Sequence, residues 1–403
     1  MEHIEFNPLN MPLNRERAYR IMGDRGIDAL IASSPENVYY ISDYWSLGQQ
    51  LRCGTQTYAL LPADGDPVVV APIDEADLIV ESQTWIDDIR FYGGLDLEVA
   101  EPDNASEQTR RLIDLYGAAE PDAEAVSALL GALKERGLTH GVLALDTSGL
   151  PPRLFEALRQ RLAGAELVEG TDLLREIRLI KTREEVDRIR KATEITEKSM
   201  EDALEIARSG ITEIDLAGMF GYSVASDGGR VTQNLIGFGE RSAFPHPIPS
   251  TFETRSGDPI RMTLGCTWLH YHSNVSRTAV IGRPRSPLKR WGEAVLSAQD
   301  AALDLVRPGA PLSEVYAAAE RELRASGLRR FSSCFGHGLG VEGDERPWIE
   351  GGSEGELLEG MILNIDIPYL ELGSGGAQLE DTVLVTVDGC DPLTHTDRTL
   401  YLL

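Results

Sequence analysis

Short apolar runs alternate with helix-like patterns through the first part of the chain. IDALIAS (27–33), VYYIS (38–42), TYALLP (57–62) and PVVVAP (67–72) have the length and composition of strands. Amphipathic spacing over 105–136 and 152–163 predicts helices, with GVLALD (141–146) as one more strand between them. Strands flanked by helices make an α/β layer. From Glu184, the stretch EEVDRIRKATEITEKSMEDALEIARSG keeps apolar residues at helical spacing up to Gly210, which predicts one long helix with a glycine stop.

Beyond Gly210 the order changes to a helix, then β-rich runs at 231–237, 259–270 and 274–282, then helices near 288–306 and 312–326. The tail adds MILNIDIPYL (361–370) and DTVLVTVDG (381–389) around a Gly-rich turn, so this half reads as α+β. Between the halves, LLREIRLIKT (173–182) carries apolar and basic residues instead of the Gly and Ser of a loose linker. The expected domains are 1–172, α/β, and 173–403, α+β.

Composition narrows the partners. At 403 residues with 42% hydrophobic content, the chain is long enough for two buried cores. A net charge of -27 repels nucleic acid and anionic membranes, so neither is an expected partner, and a small molecule is. The opening MEHIEFNPLNMPLNRERAYR has no apolar segment of the leader type, and no run approaches a spanning helix. A cytoplasmic location is the expectation. Cys53, Cys266, Cys334 and Cys390 are isolated, with no C-x-x-C pair, and read mostly as small buried apolar residues. The glycines of GHGLG lack the context of a phosphate loop, which excludes nucleotide binding by that route.

Five segments, in this order, carry the chemistry: FPHPIP around His246, RMTLGCTWLHYHSN (261–274), SRT (276–278), FGHGLG around His337, and QLEDTVLVT around Glu380. Together with IDALIASSPENVYYISDY and EIRLIKTREEVDRIRKA they resemble the creatinase and aminopeptidase P family, also called M24, over essentially the whole chain. The resemblance implies a creatinase-like N-terminal domain, a pita-bread catalytic domain and a homodimer. In metal-dependent members, two Asp, one His and two Glu hold two divalent ions. Those positions fall here on Thr263, Asn274, His337, Asp366 and Glu380, with the first pair eleven residues apart as the pattern requires.

Two of these ligands have lost their charge. Four positive charges would be left with two carboxylates, and a buried uncompensated charge costs several kcal/mol. No dinuclear centre is therefore expected. A single divalent ion on His337, Asp366 and Glu380 is the remaining metal alternative, although Asp366 has a shorter arm than the usual Glu. By the resemblance His246 is a substrate-site histidine, while the second such histidine falls at Asp344 and the usual arginine at Gln378. Creatinase, a metal-free member, implies acid–base work by His246 and a cationic group held by Asp366 and Glu380. Its guanidinium-gripping carboxylate, however, falls at Ser276.

Tyr271, His272 and Ser276-Arg277-Thr278 are similar to the same stretch of ectoine-hydrolase-type members. His272 is accordingly a candidate substrate contact, and with His270 on one strand both rings would face one way. Arg52 stands where first-domain residues of related dimers reach a neighbouring pocket, which suits a clamp on a substrate carboxylate.

The expected catalytic residues are His246, His337, Asp366 and Glu380, with His272, Arg52, Asp344, Asn274 and Thr263 contacting substrate. The expected activity is hydrolysis of an amide, amidine or guanidine C–N bond. The alternatives are an Xaa-Pro dipeptidase or aminopeptidase with one metal, a lyase, and a binding protein without turnover.

Overall fold

In the computed structural model, residues 11–403 are described except 83, 100–103 and 285. The first ten residues of the opening stretch thus lie outside the described residues. The chain divides into two units, Met1–Arg178 and Leu179–Leu403.

In the first unit, strands β1 (Ala29–Ala32), β2 (Tyr58–Pro62), β3 (Val68–Pro72), β4 (Asp88–Tyr92), β5 (Val142–Leu145) and β6 (Glu166–Glu169) form a mixed sheet in the order β4-β3-β2-β1-β5-β6. The central strands are apolar at every position because both faces are covered. Ile31, Leu60, Val70 and Leu143 pack with the helices Ala125–Glu135 and Pro152–Arg161. Leu30, Leu61, Val69 and Ala144 pack on the other side with Arg15–Arg25, Pro35–Ser42 and Thr171–Arg178.

VYYIS, expected as a strand, is the second half of helix Pro35–Ser42. Ser34 caps it by accepting from Asn37 N, Pro35 occupies the first turn, and Asp43 closes it in the left-handed region at φ 61. Capping and a proline at the helix start override the β preference of Val, Tyr and Ile.

In the second unit, β7 (Arg230–Phe238), β8 (Pro259–Trp268), β9 (Tyr271–His272), β10 (Val275–Val280), β11 (Cys334–Gly338), β12 (Glu345–Glu350), β13 (Ile362–Glu371) and β14 (Gly375–Val385) belong to one sheet. Its main path runs β12-β11-β13-β14-β10-β8-β7, with β9 paired to β8. Strand alternation gives this sheet two different faces. Ile260, Met262, Leu264, Cys266, Val275 and Ala279 pack under the helices Arg183–Glu205 and Glu213–Ser226. Leu363, Ile365, Ile367, Leu379, Val383 and Val385 pack under Ser286–Leu303 and Leu312–Ala325. The intervening residues, from Arg261 and Thr263 to Asp366 and Glu380, face the other way.

The long helix starts with a capping box between Thr182 and Glu185 and ends at Glu205, five residues short of the glycine expected to stop it. The last long strand begins at Gly375, six residues before the run that predicted it. Only Cys266 of the four cysteines is buried, and Cys53 is exposed. Among the described residues no helix is long and apolar enough to cross a membrane.

Candidate active site

Strand register builds the site as parallel rows of side chains. Asp366 lies opposite Glu380, Glu380 opposite Ser276, and Ser276 opposite Thr263, so four neighbouring strands contribute one residue each to a single row. Directly opposed residues share a face and bring their Cβ atoms to about 5 Å. A second row runs His337, Asn364, Thr382 and is joined to the Asn274 carbonyl, which accepts from Asn364 Nδ2 at 2.8 Å. The third contains Gln378, Thr278 and Arg261, with Gln378 N donating to Thr278 Oγ1 at 3.0 Å and Thr278 opposite Arg261.

The two carboxylates crowd each other. Burial, then the charge of Asp366, pushes Glu380 well above the usual carboxylate range, and burial raises Asp366 to about 6 despite a hydrogen bond from Gln378 and the charge of His337. Glu380 Oε2 is buried without a partner among the described residues, as are Asn274 Oδ1 and Asn364 Oδ1. The two amide oxygens await donors, because an unpaired buried acceptor is costly.

His337 is set between Gly336 and Gly338, where a Cβ would come within 2.3 Å of the carbonyl oxygens of Asn364 and Arg346, respectively. Only glycine lets the neighbouring strands close this tightly on the histidine. His337 Nδ1 lies 2.8 Å from Gly338 O, and Nε2 faces the exposed Asp344 carboxylate at 3.2 Å. With Nδ1 donating to the carbonyl, Nε2 is the nitrogen left facing Asp344. Its neighbour Glu345 accepts from Glu342 N at 3.2 Å and forms a buried ion pair with Lys181 at 2.6 Å.

Thr263 Oγ lies 3.1 Å from Ser276 Oγ and donates to Gln378 Oε1 at 3.2 Å. Gln378 Nε2 in turn donates to Asp366 Oδ1 at 2.8 Å. The same Gln378 oxygen accepts from Arg261 Nη1, and Arg261 is 1% exposed. Burial draws the Arg261 guanidinium down to about 10 against the pull of Asp366 and Glu380, so it carries its charge at neutral pH.

His246 is exposed, on a segment pinned at both flanks. Arg261 Nη2 donates to Phe244 O, and Arg241 Nη2 donates to Ile248 O at 2.7 Å. His272 is half-buried on β9, its N–H bonded to Gly340 O at 2.9 Å, and burial lowers its ring pKa against Glu345 and Asp344.

His270 does not share a strand with His272. Leu269 and His270 form a left-handed turn at φ 45 and 63, between β8 and β9. Arg52 lies in the first unit, exposed, at φ 55 just beyond the short helix Leu47–Gln50. Sequence reasoning passed over Arg261, although an arginine at the parity of Thr263 in a strand is itself the signal of a buried cation on the site face.

The residues present do not fit a pair of divalent ions. Two of the five positions hold neutral groups, one of them already bonded to Gln378 and Ser276, and a buried guanidinium is coupled to the remaining carboxylates. Hard divalent ions require anionic oxygen donors in number. Among the described residues no three His, Cys, Asp or Glu side chains are grouped to hold a metal ion.

Residues 187–387 match the family model described as metallopeptidase family M24, and residues 14–180 match the creatinase/prolidase N-terminal domain. The chain is 33% identical over 256 residues to an Xaa-Pro dipeptidase of Pyrococcus horikoshii, covering 63% of this chain and 73% of that protein. It is 29% identical over 394 residues to an Xaa-Pro dipeptidase of Pyrococcus furiosus, covering 96% and 98%. The solved prolidase from Pyrococcus horikoshii OT3 superposes with a TM-score of 0.76 at 27% identity, covering 96% of this chain and 99% of that one.

Proposed function

The chain belongs to metallopeptidase family M24, with the creatinase-like and pita-bread domains of that family, and on this premise we propose that it hydrolyses a C–N bond of a small polar molecule by proton transfer, without a pair of divalent ions. One observation carries the reading. The row Asp366–Glu380–Ser276–Thr263 keeps its two carboxyl groups while its far end is neutral. Chemistry here rests on side chains that move protons.

In this reading Asp366 takes a proton from the attacking water as its oxygen bonds the substrate carbon, and the buried, protonated Glu380 gives a proton to the nitrogen that leaves as the C–N bond breaks. His337 takes or returns a proton at Nε2, steadied by Asp344. His246, on its pinned segment, approaches from the exposed side as the second acid–base group. Asn274 and Asn364 offer carbonyl oxygens to substrate N–H groups, and His272, neutral through burial, lines the same region. The unpartnered acceptors support a substrate rich in donors.

A second reading, an Xaa-Pro dipeptidase with one ion on His337, Asp366 and Glu380, draws its support from the relatives of Pyrococcus horikoshii and Pyrococcus furiosus, which are Xaa-Pro dipeptidases. Metal analysis of purified protein, combined with turnover of amidines, guanidino acids and Xaa-Pro dipeptides with and without chelator, separates the two. The proposed function expects fewer than two ions per chain and chelator-resistant turnover of a non-peptide substrate. Two bound ions with chelator-sensitive dipeptide cleavage would overturn it.

A further inference from the structure

Arg261 is buried on the site face of β8, yet among the described residues no carboxylate pairs with it directly. Its three nitrogens are all used. Nε donates to Ser242 O at 2.6 Å, Nη2 to Phe244 O, and Nη1 to Gln378 Oε1. The nearby Arg277 cannot serve instead, because it is committed to Asp381 at 2.6 Å and to the carbonyls of Asp397 and Thr396. A guanidinium without a direct counter-ion is expensive to bury, so its charge needs a balance within the site.

The balance runs through one amide. Arg261 and Thr263 both donate to Gln378 Oε1, which fixes which end of the carboxamide is oxygen and turns Nε2 toward Asp366 Oδ1 at 2.8 Å. Arg261, Gln378 and Asp366 therefore form a polarised chain with a cation at one end and a carboxylate at the other. The other two nitrogens hold the carbonyls of Ser242 and Phe244, which lead into His246.

We propose that Arg261 is the resident cation of this site: it supplies beside Asp366 and Glu380 the positive charge that a divalent ion would bring, and it positions both Gln378 and the His246 segment. It is a positioning residue, since it acts through Gln378 and the backbone. The inference rests on the reading that the centre works without a metal pair.

The test uses the full chain with Arg261→Met, Arg261→Lys and Asp366→Asn, and Mn2+ or Zn2+ alone as the probe. Calorimetry should show Arg261→Met binding the ion at least about tenfold tighter than the unsubstituted protein, whereas Arg261→Lys, which keeps the charge, stays near it. Hydrogen exchange at 242–248 should speed up in both Arg261 variants, because Lys cannot make the three directed bonds. In a melting-temperature cycle, Asp366→Asn should restore part of what Arg261→Met loses.

Unchanged metal affinity in Arg261→Met, or an equal gain in Arg261→Lys, overturns the charge role. Unchanged exchange overturns the positioning role. If Arg261→Met does not fold, the Arg261→Met/Asp366→Asn double variant must fold, and its failure to do so also counts against the proposal. Two ions on the unsubstituted protein would instead sink the proposed function, whatever the variants do.

Discussion

Asp366 and Glu380 oppose each other on adjacent strands; burial makes both harder to ionise, and the charge of Asp366 adds to that for Glu380. Folding raises the pKa of Asp366 to about 6, above its unfolded value, so its favourable contribution is present at low pH and lost as pH rises through about 6. Asp366→Asn keeps an acceptor for Gln378 and removes the charge. It should raise the melting temperature at pH 8 and leave it nearly unchanged at pH 4; an equal shift at both would show that the charge is not strained. Thr263 and Asn274 were placed at ligand positions by the family resemblance, with their eleven-residue spacing in support. Their new partners were not, because a hydroxyl that bonds Gln378 needs a strand pairing that joins residues 115 apart in sequence.

At the scale of elements, alternation assigns neighbours to different tasks. Ile365 packs beneath helix Ser286–Leu303 and Asp366 faces the site. Ile365→Ala should cost about 2–5 kcal/mol in denaturant melts, because the packed helix cannot close the space fully. The start of the long helix supplies a second case. Glu185 caps it by accepting from Thr182 N at 2.8 Å, accepts from Tyr271 OH at 3.2 Å, and is driven to about 7 by burial against the pull of Lys181. Its stabilising protonated state is complete below about 4.5 and lost as pH rises through about 7, an effect of about 3 kcal/mol. Glu185→Gln preserves the capping box, so it should stabilise the protein at pH 8 much more than at pH 4, read as the pH slope of the melting temperature.

Most of these elements were legible in the sequence, since period-2 and period-3.6 patterns are local. Two departures, VYYIS as a helix and His270 in a left-handed turn, arise where capping and turn geometry outweigh side-chain preference, and the short strands β4, β6, β11 and β12 carried no run long enough to predict them. The rows of the site depended on register, which no single strand discloses.

At the scale of the whole molecule, the charge of -27 is spread over an acidic chain whose carboxylates repel one another in dilute buffer. Raising NaCl from about 20 mM to about 500 mM should shorten the screening length and lift the melting temperature by several degrees. A flat salt response would mean that local pairs, such as Arg90 with Asp88 and Glu135, already absorb the repulsion. The two-faced sheet has a further consequence for how such a protein can change. In β8, β13 and β14, every second letter answers to the helices behind and the letters between to the site in front and to one another across it. Chemistry can therefore be rewritten at one parity while the fold is conserved at the other, and a saturation scan of these strands would show tolerance rising and falling with a beat of two.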